Sequence, residues 1–177
     1  MKKGFTMIEL IFVIVILGIL ASVAIPRLAA TRTDAEIAAT VANLRTILSD
    51  AASYYAVKGS FTGAKWQDIT NVPLLKLDGK PIDDYNVATK DAFLAADGEK
   101  CIAIRLVDKT TTTAGTTTTT VPAHIIFGKD RKNGVCGEVL KADAVKAFVE
   151  AKAGGVELGD GKGDGAIAIG SSTTIYQ

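Results

Sequence analysis

The chain opens with a long stretch of apolar residues. Residues 10–25 read LIFVIVILGILASVAI and carry no charge, and extending the stretch back to Phe5 adds one charged residue, Glu9. At a helical rise of ~1.5 Å per residue, residues 5–25 span ~30 Å, the thickness of the hydrocarbon core of a bilayer. Two lysines at positions 2 and 3 precede the stretch, and basic residues favour the cytoplasmic side. The pattern predicts one transmembrane helix with a cytoplasmic N-terminus.

Beyond Pro26 the apolar positions narrow to a single stripe. Its members are three and four residues apart: Ile37, Val41, Leu44, Leu48, Ala51 and Tyr55. This spacing is typical of one face of an amphipathic helix, and Gly59 is a common C-terminal stop. We therefore predict a nearly continuous helix over residues 5–58, with residues 5–25 spanning the membrane and residues 26–58 amphipathic.

Two residues of this helix disfavour regular helical structure. Pro26 lacks a backbone donor and crowds the preceding turn, which predicts a kink or local loosening near the membrane exit. Gly18 lowers helix stability nearby. The alternative is that the helix tolerates both, because Gly and Pro are more frequent in transmembrane helices than in soluble ones.

A conventional secretory signal peptide is the main alternative for residues 1–25. The lysines provide a basic start, and Ser22-Val23-Ala24 offers a cleavage site between small residues. Two observations disfavour it. An unpartnered carboxylate such as Glu9 costs ~2.5 to 3.5 kcal/mol at bilayer depth, and the helical pattern continues beyond the cleavage site.

The N-terminal residues KKGFTMIEL resemble the class III signal of type IV pilins and type II secretion pseudopilins. The shared pattern is a short basic leader ending in Gly4, an aromatic Phe5, then Thr6, Glu9, the apolar run and Pro26. The resemblance covers residues 1–55. It implies cleavage between Gly4 and Phe5 by a prepilin peptidase and methylation of the new amino group of Phe5. It also implies that Glu9 pairs with that amine, in an adjacent subunit or its own, during assembly.

The resemblance also implies a domain organisation and a cellular location. It divides the chain into a leader of residues 1–4, the long helix of residues 5–58 and a head of residues 59–177. The expected fold is α+β, a type IV pilin-like helix packed against a small antiparallel sheet. The subunit would cross the bacterial inner membrane once, with a periplasmic head, and become extracellular after polymerising with other copies. Its other partners would be the inner-membrane assembly platform and membrane lipid.

Two other functions fit the same residues. The first is a type II secretion pseudopilin, whose filament stays within the secretion machinery. The second is a membrane-anchored or secreted binding domain that uses residues 1–25 only as an anchor or signal. The position of N-terminal cleavage distinguishes them.

The head pattern predicts a mostly antiparallel sheet of three or four strands. Residues 101–107 and 121–127 are rich in β-branched residues and predict a hairpin. Between them, residues 110–120 include nine threonines, which predicts an exposed loop or, as the alternative, an extension of the strands. A short helix is predicted over residues 141–153, followed by one or two closing strands at 166–169 and 173–176. Trp66 is predicted to anchor the core.

The two cysteines, Cys101 and Cys136, do not have the spacing of a zinc site. In a head that folds outside the cytoplasm, they most simply form one structural disulfide. The alternative is a pair of buried, reduced thiols.

The composition disfavours several other functions. A net charge of +1 provides no basic surplus for nucleic-acid binding, and we expect none. The single histidine, His124, lies in a predicted strand, and no nucleophile motif is present, so we expect no enzymatic activity. Asp160 and Asp164 in a glycine-rich segment are weak candidates for calcium binding, because Lys162 stands where a ligand would be needed. No other cofactor is expected.

Overall fold

A computed structural model describes residues 6–87, 91–114, 117–130, 134–151 and 165–169. The chain divides into two units, Met1–Ala35 and Glu36–Gln177. In chain order the elements are α1 (Met7–Lys58), α2 (Trp66–Ile69), β1 (Leu74–Leu75), β2 (Ala92–Ala96), β3 (Glu99–Val107), β4 (Thr110–Ala114), β5 (Thr117–Val121), β6 (His124–Lys129), α3 (Gly134–Lys141), α4 (Asp143–Val149) and β7 (Gly165–Ala168).

The fold is α+β, with a long apolar N-terminal helix and a small antiparallel sheet, which confirms the predicted fold class. Among the described residues, the main sheet has five strands in the order β1-β2-β3-β6-β7, more than the three or four predicted. All its described neighbours pair antiparallel. Strand β3 is the centre of the sheet, and the other elements of the head are arranged around it.

Helix α1 ends at the predicted glycine. The N–H of Gly59 donates to the carbonyl oxygen of Tyr55 at 2.7 Å, and Gly59 has a φ of +72°. This left-handed conformation closes the last helical turn, and glycine adopts it without the steric cost of a Cβ. The chain then turns away from the helix towards the head.

The buried face of α1 runs along a line close to the predicted stripe. Leu44, Ile47 and Ala51 are completely buried, and Thr40 is 2% exposed. The other predicted members are only partly buried against the core: Ile37, Val41, Leu48 and Tyr55. The periodicity was therefore right, but the centre of the face passes through Thr40 and Ile47, which the apolar stripe omitted.

The sheet supplies the other half of the core. Ile104 of β3 pairs with Phe127 of β6, and Leu106 pairs with Ile125, and all four side chains are buried. Phe127 also meets Phe148 of α4 edge to face, with ring centroids 5.8 Å apart. These contacts place α4 against the sheet and confirm the predicted β3–β6 hairpin. Trp66, 1% exposed, is also part of this core, as predicted.

The threonine-rich tract is a β ribbon rather than an irregular loop. Strands β4 and β5 pair antiparallel over five Cα pairs, from Thr110↔Val121 to Ala114↔Thr117. The tract therefore has the strand conformation of the alternative prediction, although it does not continue β3 and β6. The ribbon forms a sheet separate from the main one.

Strand β2 and the two short helices differ from the predictions, whereas β7 agrees with them. Strand β2 was missed because four of its five residues are buried, so it shows no alternation. The helix predicted over 141–153 corresponds to α4, and the preceding helix α3 was not predicted. The two helices are separate because Ala142 between them has an extended backbone. Strand β7 matches the prediction at 166–169, whereas residues 173–176 lie outside the described residues.

The carboxylate of Asp108 joins the end of β3 to the turn that follows α1. It accepts hydrogen bonds from the Phe61 N–H at 2.6 Å, the Thr62 hydroxyl at 2.8 Å and the Ser60 hydroxyl at 2.9 Å. Burial raises the pKa of Asp108, but these hydrogen bonds outweigh it and hold the pKa below its usual value. The ionised carboxylate therefore stabilises the folded head.

We expect Asp108→Asn to lower the free energy of unfolding by about 1.5 to 3 kcal/mol at neutral pH, since hydrogen bonds to a charged acceptor are lost. Because the folded pKa is depressed, this contribution is present above the unfolded pKa of about 3.9 and is lost as pH falls through the folded value. Denaturation of the detergent-dispersed chain at pH 7 and at pH 2 would measure both effects. Asp68→Asn, which removes an exposed carboxylate, is the control. Equal losses in the two variants would contradict the assignment.

Gly165 at the start of β7 lies against the backbone of α4. A Cβ at this position would overlap the carbonyl oxygen of Phe148 and would lie 2.6 Å from the carbonyl carbon of Val149. We expect Gly165→Ala to destabilise the head by about 1 to 3 kcal/mol through overpacking. Gly59→Ala is the matched control, because its Cβ meets nothing within 4 Å and only the positive φ is strained. Thermal unfolding that ranks Gly59→Ala as the more damaging change would contradict this close approach.

Candidate functional site

Helix α1 is the one helix in the described parts of the chain that is long and apolar enough to cross a membrane, judged by length and composition. Its apolar side chains are exposed from the first residue, Met7 at 78%, through to Leu28 at 68%. A continuous apolar surface of this length is unfavourable in water and is typical of a segment that lies in lipid or packs against another protein. This surface is the candidate functional site.

The N-terminal end of α1 is closed by a reciprocal capping box formed by Thr6 and Glu9. The Glu9 carboxylate oxygen Oε2 accepts hydrogen bonds from the Thr6 N–H at 2.8 Å and from the Thr6 hydroxyl at 2.7 Å. The Glu9 N–H donates to the Thr6 hydroxyl oxygen at 3.3 Å. Thr-x-x-Glu is the usual sequence of this motif. This spacing is visible in the sequence, where Thr6 was noted only as part of the family pattern.

The capping box gives Glu9 a partner inside its own chain. A carboxylate near the start of a helix also interacts favourably with the positive end of the helix dipole. The two contacts that the carboxylate accepts both use Oε2, and a carboxylate has two oxygens that accept hydrogen bonds. The geometry therefore allows Glu9 to cap α1 and to accept a bond from a cationic group through Oε1.

The sequence also predicted roles for Gly4, Phe5, Gly18 and Pro26 in this segment. Gly4 and Phe5 lie outside the described residues. Pro26 lies inside α1, which continues through it to Lys58. A Cβ on Gly18 would meet nothing within 4 Å, so no contact in this chain requires a glycine there. The kink at Pro26 and the loosening at Gly18 stay predictions.

Cys101 and Cys136 form a disulfide bond, with their Cα atoms 5.5 Å apart. This confirms the predicted pairing. The bond joins β3 to the first turn of α3 and encloses the β3–β6 hairpin in one covalent loop. Helix α3 begins at Gly134, which has a positive φ.

The other candidate residues form no reactive centre in the described part of the molecule. His124 is 5% exposed in β6, and its Nδ1 lies 2.9 Å from the carbonyl oxygen of Pro122, which agrees with the structural role predicted for it. Among the described residues, no group of three or more His, Cys, Asp or Glu side chains is placed to hold a metal ion. The calcium candidates, Asp160 and Asp164, lie outside those residues.

Comparison with known proteins identifies the N-terminal segment. Residues 1–25 match the family model of the prokaryotic N-terminal methylation motif. The chain carries the class III signal of type IV pilins and pseudopilins. The match includes Gly4, Phe5 and Glu9, together with most of the exposed apolar surface of α1. No curated protein and no solved structure gives a significant match.

The motif, the apolar helix and the disulfide together fit a pilin-like precursor that is anchored in a membrane. The resemblance noted from the sequence is therefore confirmed for the N-terminal segment. The architecture agrees with it, since α1 is followed by an antiparallel sheet of the pilin-like type.

We expect the double variant Cys101→Ser, Cys136→Ser to lose about 3 to 4 kcal/mol of stability, because the open chain gains conformational entropy when unfolded. Urea denaturation of the detergent-dispersed protein, with and without reductant, would measure this. Wild-type protein in reductant should approach the double variant, which should itself be insensitive to reductant. Wild-type stability that matches the double variant without reductant would show that the bond does not form.

Proposed function

We propose that this chain is the precursor of a structural subunit of a type IV pilus-like filament. A prepilin peptidase cleaves it after Gly4, the amino group of Phe5 is methylated, and the mature chain polymerises through α1. The observation that carries the proposal is the methylation motif at the N-terminal end of α1, whose apolar side chains are exposed from Met7 to Leu28. The role is structural rather than enzymatic.

Membrane insertion is the first step. The lysines at positions 2 and 3 retain the N-terminus on the cytoplasmic side, and residues 5–25 span the hydrocarbon core. The head, which contains the disulfide, then folds in the oxidising periplasm. Gly4 has no side chain and can present an extended peptide bond to a peptidase at the membrane surface.

Assembly exchanges lipid contacts of α1 for contacts with other copies. Lipid chains and apolar side chains are similarly apolar, so the stabilisation must come from close packing and from polar pairs. The new amine of Phe5 supplies a positive charge at bilayer depth, and the Oε1 atom of Glu9 is suited to pair with it. A charge in an apolar region is costly until it is paired, which favours one register of the incoming subunit. A contact between different faces of identical copies produces an open filament when it does not close into a ring.

A pilus is the favoured form of this filament, and a type II secretion pseudopilus is the second candidate. The signal and the apolar helix are common to both, and both use the inner-membrane assembly platform. A plain membrane anchor on a binding domain is the competing function of another class. A plain anchor of this kind does not account for the methylation motif.

Mass spectrometry of the N-terminal peptide, in sheared surface material and in membranes, tests the proposal. A chain that starts at N-methylated Phe5 in the sheared fraction supports a pilus, and the same terminus confined to membranes supports a pseudopilus. A chain that retains Met1 or starts at Ile25 would refute filament assembly.

We expect Glu9→Leu to reduce the yield of filaments by at least about tenfold, which corresponds to about 1.4 kcal/mol of assembly free energy. The variant should still insert into the membrane, because its apolar stretch becomes longer. Immunoblots of sheared and membrane fractions measure the two steps separately. Asp34→Leu removes a carboxylate from an exposed position of the same helix and should assemble normally. Normal filament yield from Glu9→Leu would rule out the charge pair.

A further inference from the structure

The threonine-rich ribbon of β4 and β5 lies outside the main sheet of the head. Its strands form a sheet of their own, and no third strand among the described residues pairs with them. Each strand has five residues, which corresponds to a ribbon about 17 Å long. Two strands alone are only marginally stable in water, whereas three or more are usually needed. The ribbon therefore gains stability if another strand joins it.

The ribbon also lacks the features that normally prevent strand addition. Alternate residues in an antiparallel strand direct their N–H and C=O groups away from the partner strand. Each outer edge of a two-stranded ribbon can therefore pair with a further strand. Proteins usually block such edges with charged residues, proline or a bulge. Residues 110–121 contain neither charge nor proline, and the five Cα pairs run without a shift of register.

We propose that this ribbon pairs edge to edge with the ribbon of a neighbouring copy of the chain, β4 of one copy against β5 of the next. The proposal rests on the proposed function, because α1 is what brings the copies together. Copies that share one orientation place the β4 edge of one beside the β5 edge of the other. These strands run in opposite directions, so the new pairing is antiparallel, the more stable arrangement.

A second copy is favoured over an unrelated peptide for two reasons. Strand addition obtains affinity from main-chain hydrogen bonds and specificity from pockets for alternate side chains. A nearly uniform run of threonine has no sequence variation with which to select one peptide, so the partner is determined by local concentration. In addition, the uncharged ribbons of two copies do not repel each other.

The uniform sequence also makes the register of this contact permissive. In most sheets, a shift of one residue exchanges the buried and exposed faces, which fixes the register. Here a shift leaves threonine paired with threonine at most positions, since nine of the residues 110–120 are threonine. Because only alternate residues direct their N–H and C=O groups outward, a shift of two residues restores the hydrogen bonds. The contact can therefore be kept while neighbouring heads move by two residues relative to each other.

Disulfide cross-linking between different copies tests the pairing. Thr112 and Thr119 are partners within one ribbon, so the substitutions Thr112→Cys and Thr119→Cys must be placed in separate chains and expressed together. We expect mild oxidation of the mixed filaments to produce at least about three times more dimer than filaments of either variant alone, because the edges meet at high effective concentration. A mixture of Gln67→Cys and Asn71→Cys chains, altered at exposed positions on and beside α2, is the matched control.

The outcomes separate this inference from the proposed function. Filaments that form without an excess of mixed dimers would overturn the ribbon contact alone. Cysteine chains and wild type that all fail to form filaments would overturn the proposed function and the ribbon contact together.

Hydrogen exchange of the unaltered protein provides a second test that needs no substitution. We expect the amides of β4 and β5 to exchange at least about tenfold more slowly in filaments than in detergent-dispersed subunits, because outward N–H groups become hydrogen-bonded. Equal exchange in the two states would overturn the proposal. So would a peptide mass showing that sugars attached to these threonines occupy the edges.

Discussion

The exposed apolar surface of α1 is the constraint on which the other features of this protein depend. Burial of apolar surface is worth about 25 cal/mol per Å², so a helix with side chains as exposed as Met7 and Leu28 cannot remain in water. Such a surface is favoured in lipid or against another protein. The methylation motif lies on the same residues.

The C-terminal part of α1 packs in the core of the head. Leu44, Ile47 and Ala51 are completely buried in the core of the head, and Gly59 ends the helix so that the chain can enter the sheet. Strand β3 then combines several functions: Ile104 packs in the core, Cys101 holds α3, and Asp108 immediately after it binds the turn that follows α1. These contacts join the C-terminal part of α1, the sheet and α3 within the head.

Much of this organisation is predictable because it follows from local periodicity. The apolar run, the three-and-four spacing up to Tyr55 and the β-branched segments around Ile104 and Ile125 each indicate an element without knowledge of its neighbours. The Thr-x-x-Glu capping box of Thr6 is equally local. Elements buried on both sides show no such pattern, which is why β2 was missed and why the sheet proved to have five strands.

The amino-acid sequence by itself determined the membrane helix, the processing signal, the fold class and the end of α1, because each depends on residues close together in the chain. Only the tertiary structure decided that Cys101 bonds to Cys136, that Asp108 holds the Ser60–Thr62 turn and that Gly165 is needed against α4. It also decided between loop and strand for the threonine tract. These features depend on distances between residues far apart in the sequence, and such distances are set by the packing of the whole head rather than by any local pattern.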